Sequence, residues 1–517
     1  MFKESDNRYE RAEIREISAE AACDYVLPDY LGEVRKILFT EARCLPLPTY
    51  MNGEELSVSG AVEFRMIYTD AEGELSSVSF TQDYESCERV SGSAPAAIFA
   101  ESEISSFSMR LLGPRKISAK ARVGANIRLI SDETLELSGS AAELPSLERA
   151  TRRVEVMTSA IGDSFEREYA EPLAELDGVI AEEARVIHEC SECKILECRA
   201  SLGEVWVSGE HIISAIIAVG TEPARLYEKS VPFAETLSLP AATEGMSASV
   251  SVLCPSLKIE INPTETGSSV CASLIAEYIP TATGNRPLEL VTDAYLTDRE
   301  CECRYGELEL PTFVARRTVS DSAELSLVCE SLSLESPESV LFVSAMPRIR
   351  AAEMADGELK ITADIRISGI ACEKNGDEST TYAPIRHSIE QVINIPIDTP
   401  QGVACPCVSI SSIGAMGRVE DGRVIMTIPL ECSLELSSRR GYRYLREIDS
   451  CGEPREAAKC PKITVYYPEE GDTLFDVARR FRTTAERVAI DNSLTEAALA
   501  DGCGKSSLHG VKMLLIK

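Results

Sequence analysis

The sequence predicts a mainly β protein: three tandem antiparallel β-rich domains followed by a small βααβ unit. Three observations carry this expectation. Segments with an apolar residue at every second position recur through most of the chain. They recur at nearly constant spacing. Residues 463–517 then change to a strand, helix, helix, strand pattern.

The first alternating segment is Leu56-Ser-Val58-Ser-Gly60-Ala-Val62-Glu-Phe64-Arg-Met66-Ile-Tyr68. The second is Val205-Trp-Val207-Ser-Gly209 to Ile216, and the third is Leu359-Lys-Ile361-Thr-Ala363-Asp-Ile365-Arg-Ile367-Ser-Gly369. Alternation over a dozen residues marks a strand with one buried and one wet face. Aligning Gly60, Gly209 and Ala363 gives spacings of 149 (60 to 209) and 154 (209 to 363) residues. Each segment follows a turn with a glycine beside an acid: Asn52-Gly53-Glu54, Leu202-Gly203-Glu204 and Asp356-Gly357-Glu358. A second β-rich block follows each, at Lys116–Leu129, Ser269–Tyr278 and Arg423–Leu436. A period this long suits independent domains rather than solenoid units. The expected organisation is an N-terminal segment over 1–30, β domains over 31–150, 154–310 and 322–450, and the small unit over 463–517. Linkers are expected near Ser146–Arg153, Glu307–Ala323 and Asp449–Lys462, where charge, Gly and Pro replace alternation. Residues 10–23 read equally as a short opening helix or as a strand from Ile14.

In the last unit, a short alternating strand (Ile463, Val465, Tyr467) runs into a turn at Gly471. Asp472 or Thr473 then caps a helix whose apolar face is Leu474, Val477, Ala478 and Phe481. Thr483 and Thr484 precede a second helix over Ala485–Ile490, Asp491-Asn492 follow it, and Val511–Lys517 forms the closing strand.

This unit resembles the LysM module, whose pattern includes Gly-Asp-Thr-Leu, an Asn after the second helix and a closing Gly-x-x-Leu-x-Ile. Carried over, the resemblance implies a shallow groove formed by Gly471, Asp472, Thr473, Leu474, Phe475, Ile490, Asn492 and the approach to Gly510, with Phe475 and Asn492 exposed in it. LysM grooves bind N-acetylglucosamine-containing glycans or, in some settings, proteins. Here the loop Thr495–His509 is longer than usual, and Leu508-His509-Gly510 replaces the common Pro-rich approach. Upstream, Val26-Leu27-Pro28-Asp29-Tyr-Leu31-Gly-Glu-Val34-Arg-Lys36-Ile37-Leu38 looks like the opening of a SPOCS domain. The alternating strands resemble that domain's central signature, with Ala363 departing from Gly in the third repeat. Tandem SPOCS domains ending in one LysM module are similar in order to clostridial spore-coat morphogenesis proteins. The resemblance implies a site of action in the mother-cell cytosol at the forespore surface. It implies spore coat morphogenetic proteins as partners, including the coat-basement ATPase.

Composition bounds the alternatives. With 52 basic and 84 acidic residues among 517, the net charge is −32, which disfavours nucleic acid and anionic lipid as partners. The amino terminus has no secretory pattern, and the longest apolar run, Ile212–Val219, is far short of a membrane span, so a cytoplasmic protein without a transmembrane segment is expected. Eighteen cysteines in such a chain point to reduced thiols. His188-x-Cys190-x2-Cys193-x4-Cys198 and the Cys301/Cys303 and Cys405/Cys407 pairs lack the paired Cys-x2-Cys spacing of a structural zinc site. No metal or cofactor is expected.

The four histidines (His188, His211, His387, His509) form no His-Glu-x-x-His motif, and His211 sits on an apolar strand where packing is the ordinary role. Gly502-Cys-Gly504-Lys505-Ser506 ends like a phosphate loop, but Leu499 stands where that loop needs glycine. The sequence reads as a non-enzymatic scaffold for spore coat assembly. The alternative is a peptidoglycan-binding protein that anchors a spore or wall component.

Overall fold

The computed structural model describes residues 7–45, 49–52, 54–90, 97–220, 222–355, 357–375, 379–397, 407–453, 463–494, 508 and 511–517. The chain is mainly β, and every paired strand runs antiparallel to its neighbours. Among the described residues no helix is long and apolar enough to cross a membrane.

The first set of strands comprises β1 (Arg8–Val26), β2 (Lys36–Cys44), β3 (Thr49–Asn52), β4 (Glu55–Thr69), β5 (Leu75–Arg89), β6 (Ala97–Gly113) and β7 (Lys116–Thr134). The second comprises β8 (Leu147–Ile161), β9 (Phe165–Asp177), β10 (Ala184–Ser201), β11 (Glu204–Val219), β12 (Arg225–Ser238), β13 (Ser247–Pro263) and β14 (Gly267–Leu296). The third comprises β15 (Glu300–Val328), β16 (Ser339–Ala355), β17 (Glu358–Asn375), β18 (Ser379–Pro396), β19 (Cys407–Ser411), β20 (Met416–Glu420) and β21 (Arg423–Cys451). The carboxy-terminal unit comprises β22 (Thr464–Tyr466), α1 (Leu474–Phe481), α2 (Ala485–Asp491) and β23 (Leu514–Ile516).

One pairing scheme appears three times. The opening strand pairs with the last strand of its own set: β1 with β7, β8 with β14, β15 with β21. Between them lies a meander: β2-β4-β5, β10-β11-β12 and β16-β17-β18. In the second set the partner of β14 is broken at Gly162–Ser164, and β9 continues the pairing that β8 begins. The three alternating sequence segments are β4, β11 and β17, the central strand of each meander. The blocks expected to follow them lie in β7, β14 and β21.

Two expectations need correction. Ser146–Arg153 lies almost wholly in β8, and Glu307–Ala323 lies within β15, so neither is a linker. Both belong to strands with one paired side, where charged side chains and a proline such as Pro311 are tolerated and discourage further pairing. For the third stretch, Asp449–Cys451 closes β21, and 454–462 lies outside the described residues. The opening segment is the strand β1 rather than a helix. Residues 138–142 cross to the end of β21, where Ser138 donates to Arg446 O at 3.0 Å and Ala141 to Ile448 O at 3.1 Å. At Gly139, φ is +105° and a Cβ would stand 2.2 Å from Ile448 O, so this crossing requires glycine.

The three meanders meet in one core. Leu38, Phe39 and Ile67 of the first pack with Ile187, Ile216 and Ala218 of the second and Leu341, Ile370 and Cys372 of the third. Each first meander strand has a β-bulge at the same place, between Ile37 and Phe39, Val186 and His188, and Val340 and Phe342. The residues after the bulge oppose Ile67, Ile216 and Ile370 and touch one another. Ring centroids are 5.1 Å apart for Phe39–Phe342, 5.7 Å for Phe39–His188 and 4.9 Å for His188–Phe342. Phe39, His188 and Phe342 are separated by the same 149 (39 to 188) and 154 (188 to 342) residues as the repeated segments. The meanders also contact one another in cyclic order. β10 meets β5, β12 meets β16, and β17 and β18 meet β2. The result is a closed, pseudo-threefold ring built within one chain.

Candidate functional site

The carboxy-terminal unit is organised by its caps. Thr473 is the N-cap of α1: its Oγ1 accepts from Asp476 N at 3.2 Å, and Asp476 Oδ2 accepts from Thr473 N at 3.3 Å, a reciprocal capping box. Thr484 is the N-cap of α2, its side chain accepting from Arg487 N at 3.1 Å without a reciprocal bond. Of the two caps considered for α1, Thr473 fills the role. Asp472 instead holds the preceding turn, accepting from Tyr466 Oη at 2.5 Å and Glu469 N at 2.9 Å. The Tyr466 hydroxyl, followed by the Glu469 amide, holds the Asp472 carboxyl below the usual carboxylate range. Gly471, at φ +95°, supplies the left-handed residue that this turn needs.

Leu474, Val477 and Ala478 are buried, and Phe481 is half-buried edge-on to Tyr466 with centroids 5.5 Å apart. Phe475, expected in an exposed groove, is 1% exposed. Its ring meets Tyr295 of β14, with centroids 5.0 Å apart and planes at 68°. Around that contact the Tyr295 hydroxyl donates to Thr483 O at 2.7 Å, Arg479 pairs with Asp293 at 3.0 Å and Arg482 with Glu300 at 2.6 Å. Helix α1 is therefore docked on the junction of β14 and β15, and Ala150 and Cys301 complete the apolar patch.

Asn492 is likewise committed internally rather than displayed. Its Nδ2 donates to Val488 O and Leu515 O, both at 2.8 Å, and its Oδ1 accepts from Leu515 N at 2.6 Å. The side chain satisfies the backbone of the last strand and ties it to the end of α2. Ile490 is 69% exposed on the opposite side. Leu508 is buried and donates its N–H to Asp472 O at 3.1 Å, bringing the approach to the last strand against the turn. Gly510 and 495–507 lie outside the described residues.

The structure assigns the two faces of the first strand. Thr464 and Tyr466 are the half-buried residues of β22, whereas Ile463, Val465 and Tyr467 point outward, Tyr467 being 68% exposed. With Met513 they form an apolar outer face on the two-stranded sheet. Thus Gly471, Asp472, Thr473 and the 508 backbone come together at one end of the unit. Leu474 and Phe475 face inward or towards the body, Asn492 clamps the last strand, and Ile490 stands apart. Sequence reasoning missed Tyr295, Asp293 and Glu300, which anchor the unit. Nothing in the period-two patterns of β14 and β15 distinguishes them, because their partners lie nearly two hundred residues away.

Among the described residues no group of three or more His, Cys, Asp or Glu side chains is placed to hold a metal ion. Burial pushes the thiols of Cys190 and Cys193 up to about 12, so both are held as thiols at neutral pH. Searches against family models, curated proteins and solved structures found no match to this chain.

Proposed function

We propose that the chain is a non-enzymatic scaffold of spore coat assembly, working in the mother-cell cytosol at the forespore surface. In this reading the three β sets are SPOCS domains and the carboxy-terminal unit is a LysM module that binds coat morphogenetic proteins, including the coat-basement ATPase. The resemblance of Val26–Leu38, of the central meander strands and of the Gly471-Asp-Thr-Leu unit to those families supports it.

The observation that carries a protein partner over a sugar is how the unit spends its groups. Asp472, Thr473 and Asn492, the polar side chains of the expected groove, are already paired within the unit, and Phe475 is covered by Tyr295. What the unit presents instead is apolar: Ile463, Val465, Tyr467, Ile490 and Met513. An exposed apolar face of this kind fits a protein surface better than a glycan, which demands unspent hydrogen-bond donors and acceptors. Co-sedimentation of the full chain with filaments of the coat-basement ATPase, set beside sedimentation with purified peptidoglycan, tests it. Retention by the filaments supports the scaffold. Retention by peptidoglycan alone replaces it with the anchoring role.

A further inference from the structure

The third meander closes the ring against the first around a cleft of about 310 Å³, and its wall is unusual for so acidic a chain. Arg366 of β17 and Arg386 of β18 line it. Arg366 lies over the Phe107 ring, its guanidinium carbon 5.7 Å from the centroid, and Arg386 donates to Ile37 O at 3.1 Å. Two more cations cross the same junction onto backbone oxygens: Lys36 to Tyr382 O and Arg348 to Ser105 O, each at 3.3 Å. None of the four has a carboxylate within ion-pair distance among the described residues, although many arginines elsewhere do.

The pseudo-threefold ring supplies its own control. Repeat spacing and strand register place Arg366 where the first meander has Glu63 and the second Ile212. They place Arg386 where the others have Ser79 and Glu228. The corresponding junction between the first and second meanders also has a cleft, of about 260 Å³, but its Arg65 is paired with Glu63 at 3.1 Å and Glu189 at 3.7 Å. Closing such a junction therefore does not require two arginines without acids, and their presence in the third needs another reason.

We propose that this cleft binds a small organic oxyanion, a carboxylate or phosphate carried on a compact apolar group. The two guanidinium groups offer planar donor pairs matched to such an anion. Phe39, Phe107, Met109 and Ile367 provide an apolar wall, and Ser108, Ser344 and Ser368 add hydroxyls. A cleft of this size suits a ligand of small-molecule dimensions. Glu41 also lines it; burial raises its pKa, and the cations that oppose this shift, Arg65 on β4 and Arg43 on β2, do not line the cleft.

Calorimetric titration of the full chain with phenyl phosphate, benzoate and inorganic phosphate at constant ionic strength tests the proposal. The expected result is saturable binding of the two aromatic anions, roughly tenfold tighter than inorganic phosphate because only they reach the apolar wall. Arg386→Ser, which installs the residue of the first meander, is expected to weaken phenyl phosphate by roughly tenfold. Arg366→Gln, which leaves every hydrogen bond of the junction in place, is expected to do the same and serves if Arg386→Ser fails to fold. Absence of saturable binding up to about 10 mM of any probe overturns the site, since weaker affinity would mean less than about 3 kcal/mol of binding free energy. So does undiminished binding by a folded variant. Equal affinity for phenyl phosphate and inorganic phosphate overturns the apolar part of the assignment.

Discussion

The Tyr295 ring stands edge-on to Phe475, 5.0 Å between centroids, and its hydroxyl reaches Thr483 O at 2.7 Å, so one side chain holds both helices of the carboxy-terminal unit against the β body. Tyr295 is 3% exposed and Phe475 1%. The ion pairs Arg479–Asp293 and Arg482–Glu300 surround the contact but are half in solvent, where such pairs contribute little. The aromatic contact and its hydrogen bond are thus the main attachment. Tyr295→Phe should cost about 0.5–1.5 kcal/mol through the lost hydrogen bond. Tyr295→Ala should cost about 3–5 kcal/mol and free the unit. Limited proteolysis checks this: cleavage between β21 and β22 should accelerate in Tyr295→Ala while the released fragment stays folded. Unchanged cleavage would show that the attachment lies elsewhere.

Thr473 and Asp472 separate two local roles. Thr473→Ala removes the capping box and should destabilise the unit by about 0.5–2 kcal/mol, with Thr473→Ser restoring most of it. Asp472→Ala instead frees Tyr466 Oη and Glu469 N, loosening the turn that Leu508 leans on. Amide exchange distinguishes them: the first variant should expose the first turn of α1, the second the 467–472 turn and Leu508.

How far the sequence could be read follows from which forces are local. The central strands β4, β11 and β17 were legible because alternation records a one-sided environment, and the same spacing reappears in Phe39, His188 and Phe342. A capped start to α2 was legible at Thr483-Thr484, of which Thr484 is the cap, because capping is decided within four residues. Edge strands were not: β15 presents charge to solvent along its free side, and the Glu307–Ala323 stretch mimics a linker. The covered face of β22 was not legible, because alternation gives two faces without saying which is covered, and Tyr466 is selected by its bond to Asp472. Phe475 was placed in an exposed groove because its cover, Tyr295, belongs to another part of the chain. Ring closure has no local signature beyond the bulge positions.

Asn492 makes three hydrogen bonds that no shorter or apolar residue reproduces, two of them to Leu515. Asn492→Ala leaves Leu515 N–H and O without these partners at the unit's closing strand, each worth about 1–3 kcal/mol when buried unmet. Asn492→Asp keeps the acceptor but removes the two donations, and should cost less than the alanine change. Far-ultraviolet circular dichroism cannot resolve this small unit, so the check is chemical-shift change at Leu515 and Val488 in selectively labelled protein. A ligand-binding role for Asn492 without a structural one would leave both signals in place.

His188 gives the ring an acid-sensitive joint. It takes the position that Phe39 and Phe342 occupy in the other two meanders, is 5% exposed, and its Nε2 has no hydrogen-bond partner. Burial, reinforced by Arg65 and Arg43, lowers its pKa from 6.5 to about 3. A depressed histidine is neutral in the folded chain but takes a proton once released, so its contribution is intact above pH 6.5 and is lost as pH falls from there towards 3. Nearby Glu41, Glu189 and Glu192 act in the opposite direction, since burial raises their pKa and the folded chain takes up their protons more readily as pH falls. The whole-protein pH profile therefore mixes both signs, and the histidine must be isolated by difference. His188→Phe completes the phenylalanine triad, and its stability relative to the wild type should grow by about 1.4 kcal/mol per pH unit on acidification below about pH 6.5. His188→Gln should show the same slope from a less stable baseline. Urea midpoints measured from about pH 7.5 to 4.5 give the difference directly. A gap that stays constant across that range would mean that His188 takes its proton as readily in the folded chain as in the unfolded one.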